Sequence, residues 1–341
     1  MEKFSKWRDA GTGIQPFLQP VPARTQQSIV GRVLGAFKSY IAGPVVAVVR
    51  LAALAVLAAL DTVAAGAQPL FIVARARRMY ARATRSVLAR AALFVMGFYR
   101  VDVRTVGLRR GQRGRVQSQG AEPGDVIVAN HVSYIDVLWL VAAYDPVFVA
   151  LDNASTYARP ISAWAALRAP ALATPALLRA GDARPLREIT QDARARRRGP
   201  VVVFPENATT NGRALLKLLP VFGAPENLDE KARIHVMAFK YPAHTFSPAF
   251  SVGSQFAHLF GVCAQVYNSL IVRVLAQDEC PRVAESASFC DADAEPVDLD
   301  DAVTDRLLQL SRLRMTKLSA MDKRDFLSFY QKRAKGYKVN I

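Results

Sequence analysis

Residues 126–140 read VIVANHVSYIDVLWL. A short apolar run, Val126–Ala129, ends at Asn130-His131, and an acid, Asp136, follows five residues after the histidine. A brief continuous apolar run is the pattern of a strand buried on both faces, and such strands belong to parallel sheets covered by helices. The histidine then stands at the carboxyl end of a strand, where open α/β sheets bind their ligands. Ser133 fits the N-cap of a helix through 134–143. Same-face neighbours on a helix lie three and four residues apart. A spacing of five therefore brings the two side chains together only with His131 in the turn and Asp136 in the first helical turns. A carboxylate so placed accepts from one imidazole nitrogen, fixes the tautomer and leaves the other nitrogen as a base. The plainer alternative is a histidine closing a strand and an acid stabilising the positive end of a helix.

Working outward, similar β-branched runs occur at 99–103, 125–129, 147–150, 201–204, 235–239 and 269–275. Segments of helical spacing, 161–179 and 184–198, lie between some of them. This alternation predicts an α/β domain over 99–278, with a mostly parallel central sheet flanked by helices. Residues 107–124 read as a Gly/Arg/Gln-rich loop. The remainder, 279–341, reads as an acidic linker over 279–300, a helix near 299–312, and a basic tail with Lys332, Arg333, Lys335 and Lys338.

Residues 1–98 have a different character. Residues 41–60 carry one charge, Arg50, residues 51–74 are an apolar run broken chiefly by Asp61, and 87–99 form a shorter run containing Arg90. A bilayer span takes about 20 apolar residues, so 51–74 is long enough. The interior charges and the short second run favour a helical pair dipping into one leaflet. Arg75, Arg77, Arg78, Arg82 and Arg85 would then meet the headgroups. An Ala-rich hairpin packed on a soluble core is the alternative. The first residues lack the apolar core of a signal peptide.

The 341 residues carry 45 Lys plus Arg against 28 acids, a net charge of +17 that calls for a polyanionic partner. No recognised nucleic-acid module and no aromatics interleaved on a basic face are present, so the expected partner is a membrane surface or a phosphate-bearing substrate. The 3 cysteines, without a CxxC pair, suggest neither a disulfide framework nor a zinc site. No GxSxG elbow, P-loop or HExxH motif occurs, and no cofactor or metal is expected.

A second stretch, VVVFPENATTNGRALLKL at 201–218, is again an apolar strand running into polar residues: Glu206, Asn207, Thr209, Thr210, Asn211, Gly212 and Arg213. With a helix expected to follow, these groups would make an anion cradle at its N-terminus.

Together the two stretches resemble the glycerolipid acyltransferases that include the 1-acylglycerol-3-phosphate acyltransferases. That family's first block, (N)HxxxxD, is matched by NHVSYID, and its third, FPEGTxxxG, by FPENATTNG, with Phe204, Pro205, Glu206, Asn211 and Gly212 in agreement. VMAFKYP at 236–242 matches a later strand ending in proline, and the similarity covers roughly 99–276. MEKFSKWRDAGTGIQPF at the start and DKRDFLSFYQKR near the end look like the fungal lysophosphatidic acid:oleoyl-CoA acyltransferases. Asn207-Ala208 replaces the usual Gly-Thr, Thr209 stands where some members carry an arginine, and Arg213 is the candidate to substitute. The second block corresponds to ALLRAGDARPL at 176–186, with Arg184 as its candidate phosphate contact and Arg179 as rival.

The resemblance implies acyl transfer from acyl-CoA, a co-substrate, to the free hydroxyl of lysophosphatidic acid or a related lysophospholipid. His131 would be the base and Asp136 its partner. Glu206, Asn207, Thr209, Asn211, Gly212, Arg213 and Arg184 would bind substrate. It also implies the cytosolic face of the endoplasmic reticulum membrane, with the lipid droplet as a further location. The sequons at Asn153 and Asn207 would then go unused. The altered third block leaves an alternative, a non-catalytic lipid-binding or trafficking protein on the same fold.

Overall fold

A computed structural model describes residues 4–20, 35, 38–108, 120–152, 157–171, 183–223, 228–229, 231–242, 246–281 and 298–336. The loop core at 109–119, the sequon at Asn153, Arg179 and the acidic stretch 282–297 lie outside the described residues.

Two helices come first, α1 (Gly43–Ala67) and α2 (Ala74–Val95). The chain continues through β1 (Val101–Val106), β2 (Val126–Ala129), α3 (Tyr134–Tyr144), β3 (Val147–Leu151), β4 (Tyr157–Ile161) and α4 (Ala163–Arg168). Next are β5 (Arg184–Pro185), α5 (Leu186–Ala195), β6 (Val201–Val203), β7 (Ala214–Leu215), β8 (Ile234–Lys240) and α6 (Gln255–Cys263). The last elements are β9 (Leu270–Leu275), α7 (Leu299–Ser311), β10 (Arg314–Met315) and α8 (Ala320–Gly336).

Eight strands form one sheet in the order β1-β9-β8-β2-β6-β3-β4-β5. The central strands β8, β2, β6 and β3 are mutually parallel, as the uninterrupted apolar runs require. The flanks turn antiparallel, β9 against β8 on one side and β4 and β5 on the other. Every residue of β2 and β6 is buried, and the alternation of side chains feeds two cores. Ile127, Ala129, Val202 and Met237 pack under α3, α6 and the α1–α2 hairpin. Val126, Val128, Val201 and Val236 pack under α5 and α7. A third cluster joins the chain ends, with Trp7 and Phe17 against Phe326 and Leu327 of α8.

The apolar N-terminal segment is a helical pair, divided differently from the runs in the sequence. The 51–74 run is not one helix, because α1 ends at Ala67 and the chain turns at Gln68–Leu70, where Pro69 lies. The stretch Tyr40–Leu70, 31 residues, is long and apolar enough to cross a membrane, and little of it is buried. Val45, Val48, Val49, Val56 and Val63 point outward.

Arg50, the charge within this helix, turns inward. Its guanidinium donates to the carbonyls of Cys263 (3.0 Å), Gln265 (2.5 Å) and Val266 (3.2 Å), and to Tyr99 Oη (2.6 Å). It therefore satisfies carbonyls freed at the end of α6 and fastens the hairpin to the α/β domain. Hydrogen bonds to a charged group contribute about 1.5–3 kcal/mol each, so Arg50→Leu is expected to weaken this docking by about 2 kcal/mol. The check is amide hydrogen exchange, which should quicken along α1 and through the 263–268 turn while β2 and β6 keep their protection.

Candidate active site

The carboxyl ends of β2, β6 and β8 meet at one crevice, and the first block occupies it. As β2 ends, Asn130 takes over its pairing with β8. Its amide nitrogen donates to the Phe239 carbonyl (3.2 Å) and its amide oxygen accepts from Phe239 N (2.7 Å). The backbone of the next two residues is held from outside the strand. His131 N donates to Glu206 Oε1 (3.0 Å), the His131 carbonyl accepts from Thr210 N (3.1 Å), and the Val132 carbonyl accepts from Phe250 N (2.9 Å).

Ser133 is the N-cap of α3, and Asp136 returns to the turn as the acid of a capping box. Asp136 Oδ2 accepts from Val132 N (2.7 Å) and Ser133 N (2.8 Å) and lies 3.2 Å from His131 Nδ1. Its other oxygen accepts from Tyr241 Oη at 2.5 Å. Burial pushes the Tyr241 phenol well above its ordinary range, so it remains a protonated donor. The imidazole stacks on Phe204 with centroids 4.2 Å apart. Nδ1–H pointing at an acceptor-only carboxylate leaves the Nε2 lone pair free, the arrangement of a general base. One carboxylate thus caps the helix and contacts the imidazole.

The third block lies against this turn. Glu206 is fully buried and both its oxygens accept backbone N–H groups, those of His131 and Leu216 (3.1 Å). Burial raises its carboxyl to about 8, against the pull of those two donors. Asn207 has φ 48°, and its amide donates to the Leu151 carbonyl (3.1 Å). Asparagine tolerates the left-handed region better than other residues with a side chain, so the turn survives the loss of glycine. Gly212, at φ 71°, passes so close to Val132 that a Cβ there would stand 3.2 Å from Val132 Cγ1. Asn211 donates to the carbonyls of Gln15 (2.7 Å) and Leu18 (2.9 Å), and so holds the N-terminal segment. Thr209 is buried and Arg213 exposed.

No helix follows this turn, contrary to the sequence-based expectation. Residues 214–215 instead form β7, paired with β10, and Thr316 N and Oγ1 both donate to the Leu215 carbonyl. With the Leu216 N–H on Glu206, these backbone groups are taken sideways and cannot build a helical turn. The anion cradle thus lacks a helix N-terminus. Arg184 lies on β5, four strand positions from β2, on the order of 19 Å at a spacing of ~4.8 Å. It is not brought together with His131.

Sequence reasoning missed Tyr241, although its position just beyond β8, the parallel neighbour of β2, places it at the same crevice. The chain's second His/Asp pair sits at the other end of the sheet. His235 Nε2 lies 3.2 Å from Asp125 Oδ2, at the amino ends of β8 and β2. Behind the first turn of α3, an apolar groove of about 1160 Å³ runs between the α1–α2 hairpin and α3, α4 and α6. Leu54, Leu138, Leu167 and Leu259 line it, and so does Tyr134, three residues beyond His131.

The structure is an α/β fold with a buried His/Asp pair at the carboxyl end of a central strand. The chain is 30% identical over 336 residues to the Schizosaccharomyces pombe protein named "Putative lysophosphatidic acid:oleoyl-CoA acyltransferase", covering 98% of this chain and 99% of that one. It is 28% identical over 209 residues to the Arabidopsis thaliana lysophospholipid acyltransferase LPEAT1, of which it spans about half, 49%. The crystal structure of the 1-acyl-sn-glycerophosphate acyltransferase PlsC from Thermotoga maritima aligns with a TM-score of 0.38 at 12% identity, covering 79% of this chain and 97% of that one. No protein-family profile matches the chain. The chain belongs to the glycerolipid acyltransferase family, and it is an acyltransferase.

Tyr241→Phe removes one donor from a buried carboxylate while keeping the ring. A bond of that kind is worth about 1.5–3 kcal/mol, so kcat is expected to fall roughly tenfold or more with the fold intact. Steady-state acyl transfer together with near-UV circular dichroism would check this.

Proposed function

We propose that the protein transfers a fatty acyl chain from acyl-CoA to the free hydroxyl of lysophosphatidic acid, giving phosphatidic acid, with no cofactor. The observation that supports the mechanism is the contact of 3.2 Å between His131 Nδ1 and Asp136, which favours a tautomer with Nε2 as base. The names of the relatives support the choice of substrates.

The acceptor hydroxyl gives its proton to Nε2 as its oxygen attacks the thioester carbonyl. Asp136 stabilises the imidazolium that forms. The tetrahedral intermediate then expels the CoA sulfur, which takes the proton from His131, and the acyl ester remains on the acceptor. A positioned base contributes about 10²–10⁴ in rate. The apolar groove behind α3 receives the acyl chain. Arg213, exposed at the third block, is the candidate contact for the acceptor phosphate.

The outward valines of α1 and the exposed Arg75, Arg77, Arg78 and Arg82 of α2 support a membrane partner. In this reading the hairpin lies in the cytosolic leaflet of the endoplasmic reticulum with its arginines at the headgroups, a monolayer topology that a lipid droplet also accommodates.

The test uses labelled oleoyl-CoA with purified wild type and His131→Ala, offered lysophosphatidic acid, lysophosphatidylcholine, lysophosphatidylethanolamine and glycerol-3-phosphate. Wild type should prefer lysophosphatidic acid, and His131→Ala should lose at least 10²-fold in kcat. Near-normal turnover by the variant would remove the base assignment, and preference for another acceptor would rename the headgroup. Leu138→Trp, which narrows the groove, is expected to shift the preference toward shorter acyl-CoAs in competition assays.

A further inference from the structure

His131 and Val132 owe their backbone geometry to two loops that come from distant parts of the chain. Thr210 N–H holds the His131 carbonyl and Phe250 N–H holds the Val132 carbonyl. One residue away from each of those donors stands a carbonyl that is itself held: Thr209 in the first loop and Ser251 in the second. Both are bound by the same group, the ammonium of Lys323 on α8, which donates to the Thr209 carbonyl at 3.1 Å and to the Ser251 carbonyl. The Nζ also lies 5.2 Å from the centre of the Phe17 ring, so the donors that an ammonium possesses are directed at two carbonyls and one aromatic face.

Lys323 is 3% exposed, which is rare for a lysine. Burial lowers its ammonium to about 7, and the charged group that opposes this is Glu206. Glu206 in turn holds His131 N, so the acid whose charge acts on Lys323 belongs to the same bracket. The hydroxyls of Thr209 and Ser251 are buried without hydrogen-bond partners, so neither side chain shares the joining of these loops. A buried, desolvated cation is costly to keep. Packing alone would be served as well by a methionine of similar length.

We propose that Lys323 is a positioning residue for acyl transfer: its ammonium staples the 209–213 loop to the 250–252 loop and thereby fixes the His131-Val132 backbone from which the base projects. The N-terminal segment takes part through Phe17, which covers the ammonium, and through Asn211, which binds that segment at Gln15 and Leu18. Both ends of the chain are thus closed over the third block. This role rests on the reading of His131 as the base, whereas the staple itself does not.

The test is made on the full chain with Lys323→Met and Lys323→Gln, using two readouts. Amide hydrogen exchange reads the staple without any substrate. In Lys323→Met the Thr210 and Phe250 amides should exchange at least tenfold faster than in wild type, with β2 and β6 unchanged. Steady-state transfer reads the consequence: kcat should fall at least tenfold while KM for both substrates stays within about twofold. Lys323→Gln, which keeps a donor of similar reach, should fall between Lys323→Met and wild type in both. Unchanged exchange at Thr210 and Phe250 overturns the staple, whatever the activity. Faster exchange with an unchanged kcat overturns the positioning role, and so does failure of both variants to fold, since the lysine then serves the fold. A wild type without transferase activity sinks the proposed function, and the exchange result still decides the staple.

Discussion

The carboxylate of Asp136 is the constraint on which the site is built. It is fully buried, and four groups converge on it: two backbone N–H groups, one imidazole nitrogen and one phenol. Taking an ion out of water costs several kcal/mol, and hydrogen bonds to a charged group return about 1.5–3 kcal/mol each. Two such bonds would barely offset the cost, whereas four make the position favourable. The geometry is therefore collective. The turn after β2, the start of α3, the tilt of the imidazole and the end of β8 all have to be right for the charge to be tolerated. This also explains the spacing of five, which suits a carboxylate that caps the turn from the helix side and not a pair sharing one helix face.

A second buried carboxylate, Glu206, performs a different task in the same crevice. Its oxygens are occupied by backbone N–H groups from the first block and from the residues after the third, so it acts as a buckle between the two. The resemblance to the family places this glutamate among the substrate-binding residues. In this fold its contacts are internal, to the backbone N–H groups of His131 and Leu216. The unusual Asn207 fits that account. The turn requires a left-handed residue, and asparagine supplies one while its amide secures β3 at Leu151.

The parts of the fold legible in the sequence were those carried by local pattern. Each of the six β-branched runs became a strand of the main sheet, and Ser133 became the N-cap of α3. The juxtaposition of His131 and Asp136 was legible because a strand end followed by a capping residue is itself a local signal. The two-residue strands β5, β7 and β10 have no period to detect. The expected helix after Gly212 failed for a tertiary reason: Leu215 and Leu216 are drawn into different cores, which demands strand-like alternation. Tyr241 and Lys323 were illegible because the chain distances to their partners are large, 105 residues to Asp136 and 114 to Thr209. Arg50, which reads as a flaw in an apolar helix, has meaning only beside the end of α6.

The placement of the hairpin bears directly on the chemistry. The sheet has two covered faces, and the α1–α2 hairpin packs on the one that also carries α3 and α6. The outward apolar surface, the groove and the first turn of α3 therefore share one side of the molecule, while α5 and α7 occupy the other. The groove is apolar from Leu51 and Leu54 of α1 to Tyr134, within one helical turn of the polar crevice. His131 and the third-block turn, in contrast, lie at the strand ends. The proposed reaction, which joins an apolar tail to a phosphate-bearing acceptor, needs this change of environment over a few ångströms. The sheet edge of backbone carbonyls and N–H groups supplies the polar half, and the helical pair supplies the other. Because Arg50 fastens the hairpin to the α6 turn, the two halves are held in register by the protein itself.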